Sequence, residues 1–566
     1  MSRRNTSAQP RFAQRALSVA LALGWASTAM AVEVDVGNPD LKMRWDNTVR
    51  YNVGVRVEAP DARILAGRAY DESDSKFNKG NVVTSRFDLL SEVDLNYKGQ
   101  FGARVSGAAW YDAAYDNHNV KSPAGGVTSY YNNEYNSKVS RYVNGPSAEF
   151  LDAFAWTNFN IGEVPMNVKL GRHSIVWGEG LFLGAHAISY SQAPIDGQKA
   201  VGSPGIETKE VFLPLNQLSF KAQVTNDLTI AGQYFLEWKE TRAPNGGTYL
   251  MGADTAPNVD RLGITGTFAA DNVAARKPKQ AGNWGLSARM NVEAINSTVG
   301  LYYRVFNDYN PENGIQFRSF SGPLPASFRF VYAQDTRLLG ASLARAIGPV
   351  SFGAEASYRK NASLNTAGSY SSVPAAASEK DTGARGDTLH AVVNGIYLLP
   401  KTPLWDTGSF AAELAYSRLM KVTQNESLYK GVGYASCTKT SGTGTGPGDE
   451  SDACSSRNFL QVAATLSPQY LGILPSWDLS VPISVNYGIK GVAPSSSGGF
   501  EKLLTWSIGA NMVYQSRHEF SLRYADISAP STYNATTGAL AGGGASGGSV
   551  GATDRGWVVL TYKTSF

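Results

Sequence analysis

The 566-residue chain has few of the residues that metal and redox sites require, with only two cysteines and five histidines. The histidines are scattered, none lies near a cysteine, and the cysteine spacing excludes a CxxC redox motif. No HExxH sequence occurs, so a zinc hydrolase of that type is excluded as well. These absences predict a protein that is not an enzyme and that binds no metal or other cofactor.

Long apolar runs are also missing: after residue 31 no stretch approaches 18 consecutive apolar residues, so no membrane-spanning helix is expected there. Residues 1–31 have the form of a secretory signal peptide, with basic residues, a short apolar stretch at 16–25 and Ala29-Met30-Ala31 as a cleavage site. A first membrane helix is the alternative, but the apolar stretch is short for one. We expect cleavage after Ala31, which leaves residues 32–566 as one domain.

Charge is scarce, since only 17% of the residues are charged. Residues 1–31 contain four arginines and no acid, which accounts for the whole formal net charge of +4. Residues 32–566 are therefore neutral overall and lack the basic surface that nucleic acid requires, so no nucleic-acid partner is expected. A secreted chain without spanning helices is either soluble or a β-barrel.

The sequence is rich in glycine and tyrosine, with 58 and 28 residues, and in segments where apolar and polar residues alternate. In 476–491, for example, Leu479, Ile483 and Val485 share one face while Asp478 and Ser484 lie on the other. Such alternation is typical of strands with one apolar face, and about 18 segments show it. The predicted strands are 42–57, 82–98, 100–115, 148–162, 165–177, 215–224, 227–238, 282–293, 296–307, 332–345, 349–359, 385–400, 406–420, 457–468, 476–491, 500–515, 517–528 and 554–566.

The connections between these strands alternate between tight turns and long loops. Tight turns are expected at 98–100, 161–163, 225–227, 294–296, 347–349 and 516–518, and long loops at 58–81, 116–147, 239–281, 360–384, 421–456 and 529–553. This arrangement predicts an all-β, transmembrane, antiparallel up-and-down β-barrel of about 18 strands (16–18), with short periplasmic turns and long extracellular loops. A soluble β-sandwich or β-helix array is the alternative, but so many long loops count against a compact soluble domain.

Lipid around such a barrel would turn the polar face of each strand toward the lumen. The predicted inward charges are Arg44, Asp46, Arg50, Arg56, Arg86, Asp88, Glu92, Asp94, Arg104, Arg289, Glu293, Arg304, Glu355, Arg359, Glu413, Glu519 and Arg523. Both signs occur in similar number, which does not indicate a pore selective for one sign. We expect most of these charges to neutralise one another, and a ladder of substrate contacts is the alternative.

The loop after the fifth predicted strand, roughly 178–208, is the least polar of the long loops, with apolar residues such as Leu181, Leu183 and Ile188. An exposed loop has no reason to carry so many apolar side chains, so we expect it to fold into the lumen and narrow it. The candidate constriction residues are Arg172, His173, Trp177, Glu179, Phe182, Tyr190, Asp196, Glu207 and Glu210. Arg172 could pair with one of the three glutamates and anchor the loop, and direct substrate contact is the alternative.

The remaining loop motifs are weaker. Cys437 and Cys454 flank a polar glycine-rich segment, and in an oxidising compartment we expect a disulfide there rather than two free thiols. The sequence from Gly544 to Gly548 fits GxSxG but lacks the strand-to-helix context of a nucleophile. The acidic clusters 71–74 and 449–452 do not match the spacing of an EF-hand, so we expect solvated loops rather than cation sites.

Four stretches carry a resemblance to a known family: LGRHSIVWGEG from Leu170, APID from Ala193, SPGIETKEVFLPLNQLSF from Ser203 and QYFLEW from Gln233. The chain resembles the proteobacterial family known as domain of unknown function 1302 over nearly all of residues 32–566, most specifically at 170–238. The family pattern has glutamine where this chain has His173. The resemblance implies an outer-membrane β-barrel that handles hydrophobic or aromatic compounds together with a periplasmic partner similar to lipoprotein-sorting proteins.

The chain ends with GWVVLTYKTSF, which reads as the closing strand of the barrel, paired with the strand at 42–57. Its alternation places Val558, Leu560, Tyr562, Thr564 and Phe566 on the lipid face. A terminal aromatic of this kind resembles the signal by which the barrel-assembly machinery recognises its clients, with Tyr562 and Phe566 as the signal residues. The alternative is a strand that happens to end at phenylalanine.

The sequence therefore favours an outer-membrane channel that takes up small hydrophobic or aromatic organic compounds. The alternative is a plugged barrel that acts as an anchor or docking component of an envelope assembly for lipids or hydrophobic compounds. An outer-membrane hydrolase lacks a convincing nucleophile and base. The expected partners are outer-membrane lipids and lipopolysaccharide, the barrel-assembly machinery, a periplasmic lipoprotein-sorting-like protein and a small organic solute.

Overall fold

The computed structural model describes residues 32–371, 382–439, 446–496, 498–534, 539–542 and 549–566. Within them, 18 antiparallel strands form one closed barrel, as predicted. They are β1 Leu41–Arg56, β2 Val82–Tyr97, β3 Phe101–Asp112, β4 Ser147–Ile161, β5 Val164–His173, β6 Leu215–Gln223, β7 Leu228–Phe235, β8 Trp284–Val292, β9 Ser297–Phe306, β10 Thr336–Ile347, β11 Val350–Ser363, β12 Arg385–Leu399, β13 Thr407–Gln424, β14 Asn458–Leu474, β15 Trp477–Ser480 with Ile483–Lys490, β16 Leu504–Tyr514, β17 His518–Ser528 and β18 Trp557–Ser565. The expected leader 1–31 and the GxSxG-like sequence 544–548 lie outside the described residues.

Strand β15 is interrupted at Val481-Pro482, where proline has no backbone N–H to donate to the ladder. The sheet nevertheless continues past this point, because Val481 N donates to Pro468 O at 3.0 Å and Gly509 N donates to Pro482 O at 2.9 Å. The short strand Val32–Val34 adds a further antiparallel pair to the start of β1.

Strand β18 closes the barrel by pairing with both β17 and β1. Its register with β1 runs from Ser565 opposite Thr48 to Trp557 opposite Arg56. Phe566 extends the pairing, since its N–H donates to Asn47 O at 2.9 Å and its carbonyl accepts from Asn47 N at 2.7 Å. The predicted pairing of the last strand with the first is confirmed, and no strand edge is left open at this seam.

We expect Phe566→Ala to lower the yield of inserted barrel while leaving the conductance of the molecules that do insert unchanged. The substitution keeps the two backbone hydrogen bonds to Asn47 and removes only the ring, so it separates an assembly signal from a structural pair. Heat-modifiable mobility of outer-membrane fractions measures the yield. Ser565→Ala is the control, and equal yields for both variants would contradict a role for the terminal ring.

Tight turns connect the strands at one end of the barrel, and the six that were predicted are confirmed. Two of them consist of Gly162-Glu163 and Gly348-Pro349, in which the glycines have φ of 60° and 56°. Glycine adopts such angles without strain, which allows the strands to reverse within two residues. Long loops connect the strands at the opposite end.

The long loops contain short elements of their own. The α-helices are Ala62–Leu65, Asp71–Ser75, Ser137–Val139, Gly197–Gly202 and Thr208–Val211; the 3₁₀-helices are Ala113–Tyr115, Tyr131–Asn133, Glu293–Ile295 (in a tight turn), Glu426–Leu428, Glu450–Asp452 and Val550–Ala552; and a π-helix spans Ser140–Asn144. Strands Arg261–Gly263, Ala269–Asn272, Ile315–Ser321, Leu324–Arg329 and Ser369–Ser371 form a second sheet, and Ser531–Asn534 pairs with Ala539–Gly542. In the described parts of the chain, no helix is long and apolar enough to cross a membrane.

Four long loops, 57–81, 113–146, 236–283 and 307–335, pack on one another and form what we call the cap. Its buried core includes Tyr130, Tyr135, Tyr249 and Phe328 and reaches Trp557 at the barrel rim. The tyrosine hydroxyls find backbone acceptors, as when Tyr130 donates to Gly246 O at 2.6 Å. This burial explains why loops so rich in tyrosine are ordered.

The expectation of a solvated acidic loop at 71–74 is wrong, because Asp71, Glu72 and Asp74 are buried in the cap. Burial, reinforced by the nearby Asp254, raises the pKa of Glu72. Asp74 meets Arg56 at 2.7 Å in a network of charged side chains at the barrel rim. The sequence pattern did not reveal that other loops cover this segment.

Candidate functional site

The barrel wall has its charged side chains buried inside and its apolar side chains exposed outside. On β9, Leu301 is 58% exposed while Arg304 is 1% exposed. Arg50, Arg359 and Glu413 are likewise almost fully buried on the inner faces of β1, β11 and β13. In a water-soluble protein the charged side chains lie outside and the apolar ones inside, and here this arrangement is reversed. The charged groups of the barrel therefore face the lumen.

The connection from β5 to β6 supplies what covers these charges. We call residues 174–211 the lumen segment. Glu413 accepts the N–H groups of Leu181, Phe182 and Leu183 at 2.5, 2.9 and 2.5 Å. Glu355 accepts two more, from the N–H groups of Glu179 and Ile188 at 2.8 and 2.7 Å.

Two arginines bind carbonyl groups of the same segment. Arg304 donates to the carbonyls of Ile188, Tyr190 and Ser191 at 2.8, 2.7 and 2.7 Å. Arg359 donates to the carbonyls of Ala185 and Ala187 at 2.8 and 2.9 Å. Residues 174–194 contain no helix or strand, so their backbone groups need partners from elsewhere, and the inward charges provide them.

The expected mutual neutralisation of inward charges therefore describes only part of the lumen. Around β1 and β2 the charges do pair with one another, as Arg86 does with Asp88 at 2.9 Å. On β9, β11 and β13 they bind the backbone of the lumen segment instead. The alternation of the strands predicted where these charges lie but carried no information on their partners.

The second half of the lumen segment is held against β1, β2 and β18. Glu210 meets Arg50 at 3.1 Å, Lys209 binds Glu92, and Glu207 lies 3.6 Å from Lys563. Asp196 caps the helix Gly197–Gly202 by accepting the N–H of Lys199 at 2.9 Å. The segment thus has contacts on two different sides of the lumen.

The proposed pairing of Arg172 with Glu179, Glu207 or Glu210 is wrong. Arg172 has the same parity in β5 as Leu170, which is exposed, and it lies 3.8 Å from Glu237. The geometric reason is that an outward-facing arginine cannot reach glutamates inside the barrel. Glu179 pairs with Arg289 at 3.0 Å instead.

The other candidate residues lie around the lumen segment in varied environments. His173 is buried, with Nε2 at 2.8 Å from Ser219 Oγ, and Trp177 packs on Tyr302. The Tyr190 hydroxyl donates to Asp308. Phe182 differs from these, because 44% of it is exposed inside the lumen.

Gly178 shows how closely the lumen segment approaches the wall. Its φ is 97°, and a Cβ at this position would overlap Glu355 Oε2. The backbone conformation therefore favours glycine here, and any larger residue would also have to displace the Glu355 carboxylate.

A cavity of about 590 Å³ remains between the lumen segment and the wall formed by β14–β18. Small side chains such as Ala463, Ser484 and Ser507 line the wall side. Phe182 and Val201 line the opposite side. The cavity has the size and largely apolar lining of a site for a small organic molecule.

Sequence reasoning missed the contact between two histidines. His186 Nδ1 lies 3.3 Å from His390 Nδ1, and His186 Nε2 lies 2.8 Å from Gly498 O. Burial lowers the pKa of His186 to about 4, so the ring is neutral at ordinary pH. The two histidines lie 204 residues apart, and no local pattern could have joined them.

The predicted disulfide is confirmed: Cys437 and Cys454 are bonded, with Cα atoms 5.6 Å apart, in the loop between β13 and β14. Within the described ranges, no group of three or more histidine, cysteine, aspartate or glutamate side chains is arranged to hold a metal ion.

Comparison with known proteins gives one family and a set of similar barrels. The family model described as Protein of unknown function (DUF1302) matches residues 12–566. No curated protein matches. Among solved structures, OccAB1 of Acinetobacter baumannii is 11% identical, with 93% of this chain and 96% of that chain covered and a TM-score of 0.42.

Two other solved structures have similar sequence identities, coverages and TM-scores. OpdK of Pseudomonas aeruginosa, crystallised with vanillate, is 10% identical, with 93% and 98% of the two chains covered and a TM-score of 0.39. A BenF-like porin from Pseudomonas fluorescens Pf-5 is 8% identical, with 94% and 100% covered and a TM-score of 0.39.

Proposed function

The chain belongs to the DUF1302 family of proteins of unknown function, so its activity has to be argued from its geometry, and we propose an outer-membrane channel for small apolar or aromatic organic compounds. The exposed apolar outer face supports the membrane location. Leu301, Leu339 and Leu522 are each more than half exposed there, at 58%, 61% and 52%. A closed barrel satisfies every ladder hydrogen bond internally, as a lipid environment demands.

The observation that carries the proposal is the 590 Å³ cavity beside the lumen segment. A barrel of this strand number is wide enough for a channel unless something fills it. The lumen segment fills one side, and Phe182 and Val201 turn apolar surface toward the space that remains. We propose that these side chains form the constriction that selects the solute.

Replacement of residues 181–188 by glycine and serine at equal length should raise single-channel conductance in planar bilayers several-fold. The replacement removes the apolar side chains that face the lumen and the fixed conformation that Glu413 and Glu355 hold. This higher conductance follows from the loss of a constriction formed by this segment.

The matched control is the same replacement at 318–325, eight residues at the tip of the strand pair Ile315–Ser321 and Leu324–Arg329. This replacement should leave conductance unchanged. Equal conductance of the 181–188 variant and the unaltered protein would refute the constriction. Absence of any permeation through the unaltered protein would refute the channel.

The packed core of the cap favours a second candidate, a plugged barrel that serves as a docking component of an envelope assembly. A cap with a tyrosine-rich interior would restrict access to the lumen from the loop end. This candidate predicts negligible conductance together with a co-purifying partner, such as a periplasmic lipoprotein-sorting-like protein. Cross-linking in cells followed by purification of the barrel separates the two candidates.

A further inference from the structure

An arginine without a partner among the described residues lies in the cavity beside the lumen segment. Arg523 of β17 lines the cavity, and its Nε is buried without a hydrogen-bond partner. Across the described residues it forms no ion pair and no hydrogen bond. Arg50 and Arg304, by contrast, have a carboxylate or several carbonyls as acceptors.

The surroundings of Arg523 leave room for a ligand. The residue opposite on β16 is Gly509, and a Cβ there would lie 3.6 Å from Arg523 Cβ and Cγ, so the arginine stem lies along the wall. The neighbouring wall side chains are small, including Ser507 and Ala525. Phe182 and Val201 stand on the other side of the cavity, 44% and 41% exposed.

We propose that this cavity binds organic anions with an apolar or aromatic body, a substrate class that rests on the proposed channel function. The two oxygens of the ligand's carboxylate accept two N–H groups of the Arg523 guanidinium, as in other bidentate arginine–carboxylate pairs. The body of the anion lies against Phe182 and Val201. A partly buried cation without a counter-charge is costly, and the ligand supplies that charge.

Three probes separate the contribution of the ligand's charge from that of its apolar body. Benzoate has both charge and ring, benzyl alcohol has the ring alone, and acetate has the charge alone. Binding to the detergent-purified full chain is measured by calorimetry, which does not depend on permeation. We expect benzoate to bind more tightly than either of the other two.

Arg523→Gln should weaken benzoate binding about 10-fold or more, the usual effect of losing a hydrogen bond to a charged group. Benzyl alcohol binding should not change. Arg345→Gln removes the same charge from an exposed position on β10, away from the cavity, and should leave all three affinities unchanged. Phe182→Ala should weaken benzoate and benzyl alcohol together.

Equal benzoate affinity in Arg523→Gln and the unaltered protein would overturn the assignment, as would equal weakening by Arg345→Gln. Single-channel conductance in planar bilayers tests the channel separately. Benzoate binding that depends on Arg523 in a protein without measurable conductance would leave this site standing and refute the channel.

Discussion

Asp74→Ala is expected to destabilise the folded barrel by about 3–5 kcal/mol, the usual effect of removing one partner from a buried ion pair. Asp74 Oδ1 lies 2.7 Å from Arg56 and 3.7 Å from Arg555, and both residues of the Arg56 pair are fully buried. Removing the carboxylate leaves two neighbouring cations with Asp554 as the remaining acid. Their repulsion and incomplete solvation are the source of the loss.

The position of this network explains why the loss of Asp74 should destabilise both the barrel and the cap. Arg56 is the last residue of β1, Asp74 lies in the short helix Asp71–Ser75 of the cap, and Arg555 precedes β18. The network therefore joins the seam of the barrel to the cap. Urea unfolding of the protein in lipid vesicles, followed by tryptophan fluorescence, measures the free energy of unfolding.

Lys277→Ala is the matched control, because it removes one partner of a half-exposed ion pair with Glu240 at 2.8 Å. An exposed pair contributes under about 1 kcal/mol, so this variant should unfold almost as the unaltered protein does. Unfolding free energies for Asp74→Ala and Lys277→Ala that agree within error would show that the buried network does not hold the cap.

The strands were predictable because lipid requires apolar side chains and the lumen accepts polar ones, so the two alternate along each strand. The ends of the strands were harder to predict. The fifth strand was expected to reach Trp177 but ends at His173, where the chain turns into the lumen and Trp177 packs on Tyr302. A local pattern cannot distinguish a strand from a loop that is buried by a distant wall.

The contacts of the site were harder to predict than its location. The apolar side chains of 178–208 indicated a covered loop, and Leu170 shared a parity with Arg172 that could have shown the arginine to face outward. The acceptors and donors of that loop, however, come from β9, β11 and β13, more than 100 residues away in sequence. Only the closed barrel brings these groups together.

Glu413→Ala is expected to release the first half of the lumen segment and raise single-channel conductance several-fold. The carboxylate accepts three consecutive N–H groups, from Leu181 to Leu183. Leaving a buried donor unsatisfied costs about 1–3 kcal/mol. Three unsatisfied donors together therefore cost more free energy than most contacts of a loop contribute. The freed N–H groups regain acceptors from water only when the segment moves away from the wall.

Glu413→Gln separates the charge of this residue from its role as an acceptor. The amide oxygen can still accept, but its NH₂ group faces a donor, so we expect an intermediate conductance. Glu519→Ala is the control for the loss of a lumen carboxylate, because Glu519 is half exposed and its only ion pair is with Lys563 at 3.8 Å within the described chain. A conductance of Glu413→Ala no higher than that of Glu519→Ala would mean that the segment stays in place without its carboxylate, and that the apolar contact of Leu183 with Val392 and Ala415 is enough to hold it.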